Sequence, residues 1–233
     1  MIGINKGHEP YELITYRQNV EDASYSNMNG AKISQFINGG SDDKLYEVVL
    51  NSLAKEQGFI CAYCMRRIPQ KKVYPQMTIE HINPQHAINK DEALDYQNMV
   101  AVCNGNRNSS DNNSKTCDAR RAVLPLRDQT LYLNPLIPST LRNIYYLGNG
   151  EIHSSNKNEE ECINNVLNLN CDAIQLPDAR KSALNALQQK IRKDYPKKRA
   201  TKRYFQGLLN HYNSQEYKTP YVGILIAWLE KRV

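Results

Sequence analysis

The chain has 233 residues, 40% of them hydrophobic and 23% charged, enough apolar material for a packed core and too much for wholesale disorder. A formal net charge of +6 fits an anionic partner, and no apolar run approaches the ~18–20 residues of a membrane span. The chain opens Met-Ile-Gly-Ile-Asn-Lys-Gly with no apolar leader, so a reducing cytoplasm is the expected setting, where six cysteines read as metal ligands or buried thiols and not as a disulfide framework.

Residues 1–30 are polar and read as irregular, with Gly3, Gly7, Pro10 and Gly30 and no catalytic signal. Residues 42–57 predict a helix: Leu45, Val48, Val49, Ser52 and Leu53 recur at helical spacing, and Gly58 stops it. This helix delivers the chain into Cys61-Ala-Tyr-Cys64, a knuckle whose two thiolates can share one metal. Thr78–Ile82 predicts a short strand, ended by Pro84, and Met99–Val102 a second, with a helical turn over 91–98 between them. Residues 104–116, NGNRNSSDNNSKT, have turn composition and read as an insertion that closes on itself between Cys103 and Cys117.

Beyond the cysteines, the stretches starting at Leu124 and Leu133 look linker-like. Ile144–Leu147 and Glu151–His153, split by Gly-Asn-Gly, predict a hairpin. Helical patterning follows over Glu159–Leu167, Asp178–Asp194, Ala200–Ser214 and Tyr221–Lys231, the last with an apolar stripe expected to be core. The expected division is an N-terminal segment and helix over 1–57, a cysteine-rich module over 58–125, and a linker, hairpin and helical region over 126–233.

Cys61, Cys64, Cys103 and Cys117 make a four-thiolate set suited to structural Zn2+, which supplies folding energy to a module with little core of its own. A redox role for Cys61 and Cys64 lacks the surrounding βαβ pattern. Cys162 and Cys171 read as buried thiols. Between the two cysteine pairs lies Glu80-His81, an adjacent carboxylate and imidazole able to bind a hard metal and activate water. His86 reads as a loop residue, and His8, His153 and His211 have no evident partners.

Taken together, Cys61-x-x-Cys64, Glu80-His81-Ile-Asn-Pro84, Asn98-Met-Val-Ala-Val-Cys103 and Cys117-Asp-Ala-Arg-Arg121 resemble an HNH endonuclease of the ββα-metal, or His-Me finger, class. The resemblance implies an α+β fold, a ββα-metal finger with structural zinc between mainly α-helical segments. It implies a phosphodiester hydrolase with His81 as general base, Glu80 as ligand of a catalytic Mg2+ or Mn2+, and Asn98 orienting the base. Many members carry Cys-His at the last ligand, where this chain has Cys117-Asp118. Aspartate suits Mg2+ or Mn2+, and Asn104, Asn106 and Asn108 stand as alternatives.

The opening Met1–Pro10, the Glu56–Cys64 entry and the Cys117-Asp118 exit are similar to one subgroup, the PtuB-type nuclease subunits of Septu and retron anti-phage systems. That similarity implies an ABC/SMC-like ATPase partner of the PtuA type, and a retron reverse transcriptase with its RNA–DNA product. Separately, Gln188–Phe205 holds eight Lys or Arg and one Asp, so the rest of the chain is nearly neutral. Lys197, Lys198, Arg199, Lys202 and Arg203 are candidate phosphate contacts, with Tyr195, Tyr204 and Phe205 as stacking residues. The rival expectation is a zinc-stabilised module that binds nucleic acid or docks on the ATPase without cutting.

Overall fold

A computed structural model describes residues 1–69, 76–84, 89, 92–197 and 199–233. Among them, helices predominate and the strands form two separate two-stranded sheets, an α+β content. His86, Lys198 and the start of the 91–98 turn lie outside the described residues.

The N-terminal thirty residues are not irregular, contrary to the expectation from their composition. They form α1 (Tyr11–Asn19) and the single-turn α2 (Tyr25–Met28). Leu13, Thr15 and Tyr16 of α1 are buried, too few apolar residues to write a stripe, so the 3.6-residue period is absent from the sequence. Ser24 caps α2 by accepting from the Asn27 amide. Helix α3 (Leu45–Glu56) follows the predicted pattern, with Leu45, Val49, Leu50, Leu53 and Ala54 buried on one face. Each such Leu or Val contributes about 1.5–3 kcal/mol relative to exposure. The helix ends at Gly58, φ +64°, where a Cβ would stand 2.6 Å from the Glu216 carbonyl oxygen; only glycine fits that turn.

Strands β1 (Met77–His81) and β2 (Met99–Cys103) pair antiparallel, from Met77 opposite Cys103 to His81 opposite Met99. Helix α4 (Cys117–Arg121) packs against β2. The loop between Cys103 and α4 does close on itself: Gly105 accepts from the Thr116 amide at 2.9 Å, and a Cβ on Gly105 would lie 2.2 Å from the Thr116 carbonyl oxygen. Leu133 is fully buried and Pro135 accepts from the Ile4 amide, so the stretch that looks linker-like packs into the main core.

The second hairpin pairs β3 (Ile144–Tyr146) with β4 (Ile152–Ser154). Helix α5 (Lys157–Glu161), capped by Asn156, widens into a π turn over Cys162–Val166. Three helices complete the chain: α6 (Leu176–Asp194), α7 (Lys202–Ser214) and α8 (Val222–Glu230). Pro196 falls between α6 and α7, as the break in the basic stretch requires.

The main core unites α1, α3, the cysteine knuckle, β1–β2 and the 162–176 stretch. A second core lies between α6, α7 and α8 and takes in Ile224, Leu225 and Leu229 of the C-terminal stripe. The knuckle joins the two: Met65 accepts from the Tyr221 amide at 2.9 Å, and Ile60 and Met65 pack with Val222. Among the described residues, no helix is long and apolar enough to cross a membrane.

Candidate active site

Three elements bring four sulfurs together. Gln57, at the end of α3, bridges Ile60 and both backbone groups of Ala101, laying the knuckle beside β2. This sets Cys61 and Cys64 against Cys103. Cys117, at φ +55°, adopts a left-handed backbone uncommon for a residue with a side chain, and its amide donates to Leu167. All four thiols are buried, with their sulfurs within 4.8 Å of one another.

The sulfur–sulfur separations are 3.8 Å for Cys61–Cys117, 3.7 Å for Cys64–Cys103 and 3.9 Å for Cys103–Cys117. A tetrahedral site with Zn–S bonds of 2.3 Å has sulfur–sulfur edges of about 3.8 Å. The four cysteines can therefore hold zinc with little adjustment. Burial, and then the neighbouring thiols, push the Cys117 thiol well above its ordinary range, a conflict that a divalent cation relieves. Cys162 and Cys171 are buried free thiols, as expected, Cys171 lying against the Ser114 carbonyl.

Glu80 and His81 end β1, at the other end of the β1–β2 ladder from the Met77–Cys103 pair. Both are buried, at 7% and 4% exposure. They line a cavity of about 550 Å3 with Ile79, Pro84, Asp118, Arg121, Ala122 and Gln129. A larger cavity, about 940 Å3, lies between the N-terminal segment, the knuckle and α8; it touches none of Glu80, His81 and Asp118. The smaller one brings Glu80, His81 and Asp118 together and is the better candidate for chemistry.

Glu80 accepts through Oε1 from Arg121 Nη1 at 2.6 Å and from the Tyr63 hydroxyl at 3.2 Å. Its carboxyl also faces that of Asp118. Burial, and then Asp118, push it up to about 8 against the pull of Arg121. Two facing carboxyls are an oxygen donor set suited to a hard divalent cation. Asp118 lies in the first turn of α4, paired with Arg107.

His81 donates from Nε2 to the Ala93 carbonyl at 2.9 Å. A carbonyl only accepts, so the neutral ring carries its basic lone pair on Nδ1. Burial lowers its pKa below the usual histidine value, keeping the imidazole in its basic form near neutrality. The ring of Tyr25 packs against it. Asn98 acts on the backbone: its side chain accepts from the Asn83 amide at 2.8 Å and donates to the Asn83 carbonyl at 3.0 Å, two residues past His81.

Of the asparagine alternatives, Asn104 accepts from the Arg107 amide, Asn106 donates to Ser114, and Asn108 is exposed. None lines the cavity that holds Asp118. Sequence reasoning missed Arg121, Tyr63, Arg107 and Tyr25. Arg121 had one available signal, its position four residues after Cys117, which returns it to the same face of α4. His153 does have partners, Glu160 at 2.8 Å and Glu151 at 3.4 Å, and His211 hydrogen-bonds Gln215.

Residues 61–115 match the family model HNH endonuclease. No curated protein matches the chain. The HNH match spans the knuckle, Glu80-His81, Asn98 and Cys103, with Cys117 and Asp118 just beyond it. The likeness to an HNH nuclease module is confined to that segment of the chain.

Lys197, Arg199, Lys202 and Arg203 are exposed around the α6–α7 connection. The aromatic side chains there are differently used than expected. Tyr204 and Phe205 pack on the second core, and Tyr195 stands edge-on to Tyr204 at 4.8 Å. They hold the helices together more than they offer faces to bases.

Proposed function

We propose that the protein is a metal-dependent HNH endonuclease that hydrolyses nucleic-acid phosphodiester bonds. The observation that carries this reading is the meeting of His81, Glu80 and Asp118 in one cavity beside the four-cysteine knot. Cys61, Cys64, Cys103 and Cys117 hold structural Zn2+; Glu80 and Asp118 hold a catalytic Mg2+ or Mn2+. When bound, that ion stabilises the charge developing on the phosphate and leaving oxygen. His81 takes a proton from water through Nδ1, the nitrogen left basic by the bond to Ala93. Asn98 holds the backbone that follows the base. Lys197, Lys198, Arg199, Lys202 and Arg203 engage the phosphate backbone of DNA or RNA, transfer RNA included.

The cellular role proposed is the cytoplasmic nuclease effector of an anti-phage system, restrained or licensed by an ABC/SMC-like ATPase, with a retron reverse transcriptase as a further partner. The similarity of Met1–Pro10, Glu56–Cys64 and Cys117-Asp118 to that subgroup supports it.

The test is cleavage of DNA and RNA panels with Mg2+ or Mn2+, comparing wild type with His81→Ala, alone and with a co-encoded ATPase. Cleavage by wild type that disappears in His81→Ala is the expected result and names the substrate. Equal cleavage by both proteins, or binding without cleavage in every combination, rejects the catalytic reading.

A further inference from the structure

We infer that Arg121 is a positioning residue for this site, a guanidinium clamp that fixes the rotation of the Glu80 carboxylate and the direction in which β1 delivers His81. The inference rests on the nuclease reading given above. Arg121 is 3% exposed, and three of its four hydrogen bonds go to one short stretch of chain. Nη1 donates to Glu80 Oε1 at 2.6 Å and to the His81 carbonyl at 2.9 Å; Nη2 donates to the Ile82 carbonyl at 3.0 Å. Nε donates to the Gln129 carbonyl at 2.8 Å, anchoring the other edge of the plane.

Three consecutive residues are thus read by one rigid fork. The β1–β2 ladder has its last pair at His81–Met99, and Arg121 takes hold as the chain leaves the strand. With Oε1 held by both Arg121 and Tyr63, the carboxylate cannot rotate freely, and its other oxygen is left to turn toward a cation shared with Asp118. A buried ion pair is a weak source of net stability, because desolvation offsets its attraction. Its worth here is geometric. Lysine cannot reproduce the arrangement: an ammonium carries three donors on one nitrogen, whereas these four acceptors are served by three nitrogens in a plane.

The experiment uses the zinc-loaded full chain as wild type, Arg121→Lys and Arg121→Met. Zinc content and thermal melting report folding, Mn2+ affinity is read by electron paramagnetic resonance, and kcat and KM are measured on a cleavable nucleic acid. Arg121→Lys is expected to keep zinc and fold, while Mn2+ affinity and kcat each fall about 10- to 100-fold, the usual effect of removing a group that orients a metal ligand. KM should stay within about twofold of wild type. If Arg121→Met does not fold, Arg121→Lys carries the test. Wild-type Mn2+ affinity and kcat in a zinc-loaded variant overturn the inference, as does a loss confined to KM, which assigns Arg121 to substrate binding. Failure of the underlying reading looks different: wild type itself then neither binds Mn2+ nor differs from His81→Ala, and the inference falls with it.

Discussion

The ring of Tyr25 stands edge-on to the imidazole of His81, with centroids 4.5 Å apart and planes at 83°. Tyr25 belongs to α2, outside the matched HNH residues, so the wall behind the proposed base comes from the N-terminal segment. Edge-to-face pairs are worth about 0.5–1.5 kcal/mol beyond their buried area. Tyr25→Ala is expected to lower kcat about 10-fold or more while zinc content stays unchanged, because a loosened base misses its near-attack geometry. Tyr25→Phe should keep most activity. Steady-state kinetics with zinc analysis check this, and full activity in Tyr25→Ala would show that the ring is only packing.

Cys103→Ser removes one corner of the sulfur knot, a sulfur 3.7 Å from that of Cys64 and 3.9 Å from that of Cys117. The expected outcome is loss of bound zinc and a destabilisation of more than about 4 kcal/mol, the scale reached when a metal site is lost. Zinc stoichiometry and denaturant unfolding measure it. One zinc per chain and unchanged stability would refute the four-cysteine assignment.

Asp118→Ala leaves the sulfurs in place but removes the carboxyl that faces Glu80. Cleavage should fall about 100-fold or more, as expected from losing several kcal/mol of charge stabilisation, with zinc retained. Substantial activity in this variant would move the ligand to the 104–108 loop.

The exposed cations of the α6–α7 connection predict a salt effect. Replacing Lys197, Arg199 and Lys202 with Ala should weaken nucleic-acid binding and reduce the slope of log affinity against log salt by about 2–3, since each phosphate contact contributes about 0.7–0.9. Fluorescence anisotropy across salt concentrations reads this directly. An unchanged slope would assign the patch to a protein partner.

His153 gives a pH signature in stability. Burial disfavours its charge, but hydrogen bonds to Glu160 and Glu151 outweigh this and raise its pKa above the ordinary histidine value. A raised folded pKa means stabilisation present in full below the unfolded value of about 6.5 and lost as pH rises through the folded value. The stability difference between wild type and His153→Asn should therefore be largest in mildly acid solution and fade above neutrality. A difference that does not vary with pH would show that the pair carries no charge coupling.

Local signals in the sequence carried the parts of the site that sit close in the chain. Cys61-x-x-Cys64 and Glu80-His81 are contiguous, and the strands β1 and β2 are short apolar or β-branched runs closed by turn residues. Helix α3 was legible because Leu45, Val49 and Leu53 repeat on one face. What stayed hidden is what tertiary structure assembles. Arg121 reaches Glu80 across 41 residues, and Tyr25 reaches His81 from α2, with no local pattern to announce either contact. Helix α1 was missed because its buried face is a mixture of Leu13, Thr15 and Tyr16. Conversely, Tyr204 and Phe205 looked like base-stacking residues because sequence alone does not say which aromatics face a neighbouring helix.

Helix α4 is five residues long, barely more than one turn, yet Cys117 at its start, Asp118 beside it and Arg121 at its end serve three separate tasks. A turn that short has no slack. Replacing the ion in the sulfur knot with a larger one, such as Cd2+, would move Cys117, and the same displacement would reach Asp118 and the Glu80 clamp. For anyone grafting this centre into another scaffold, the transplantable unit is therefore the whole turn with its hairpin and knuckle; ligands moved singly would arrive without the lever that aligns them.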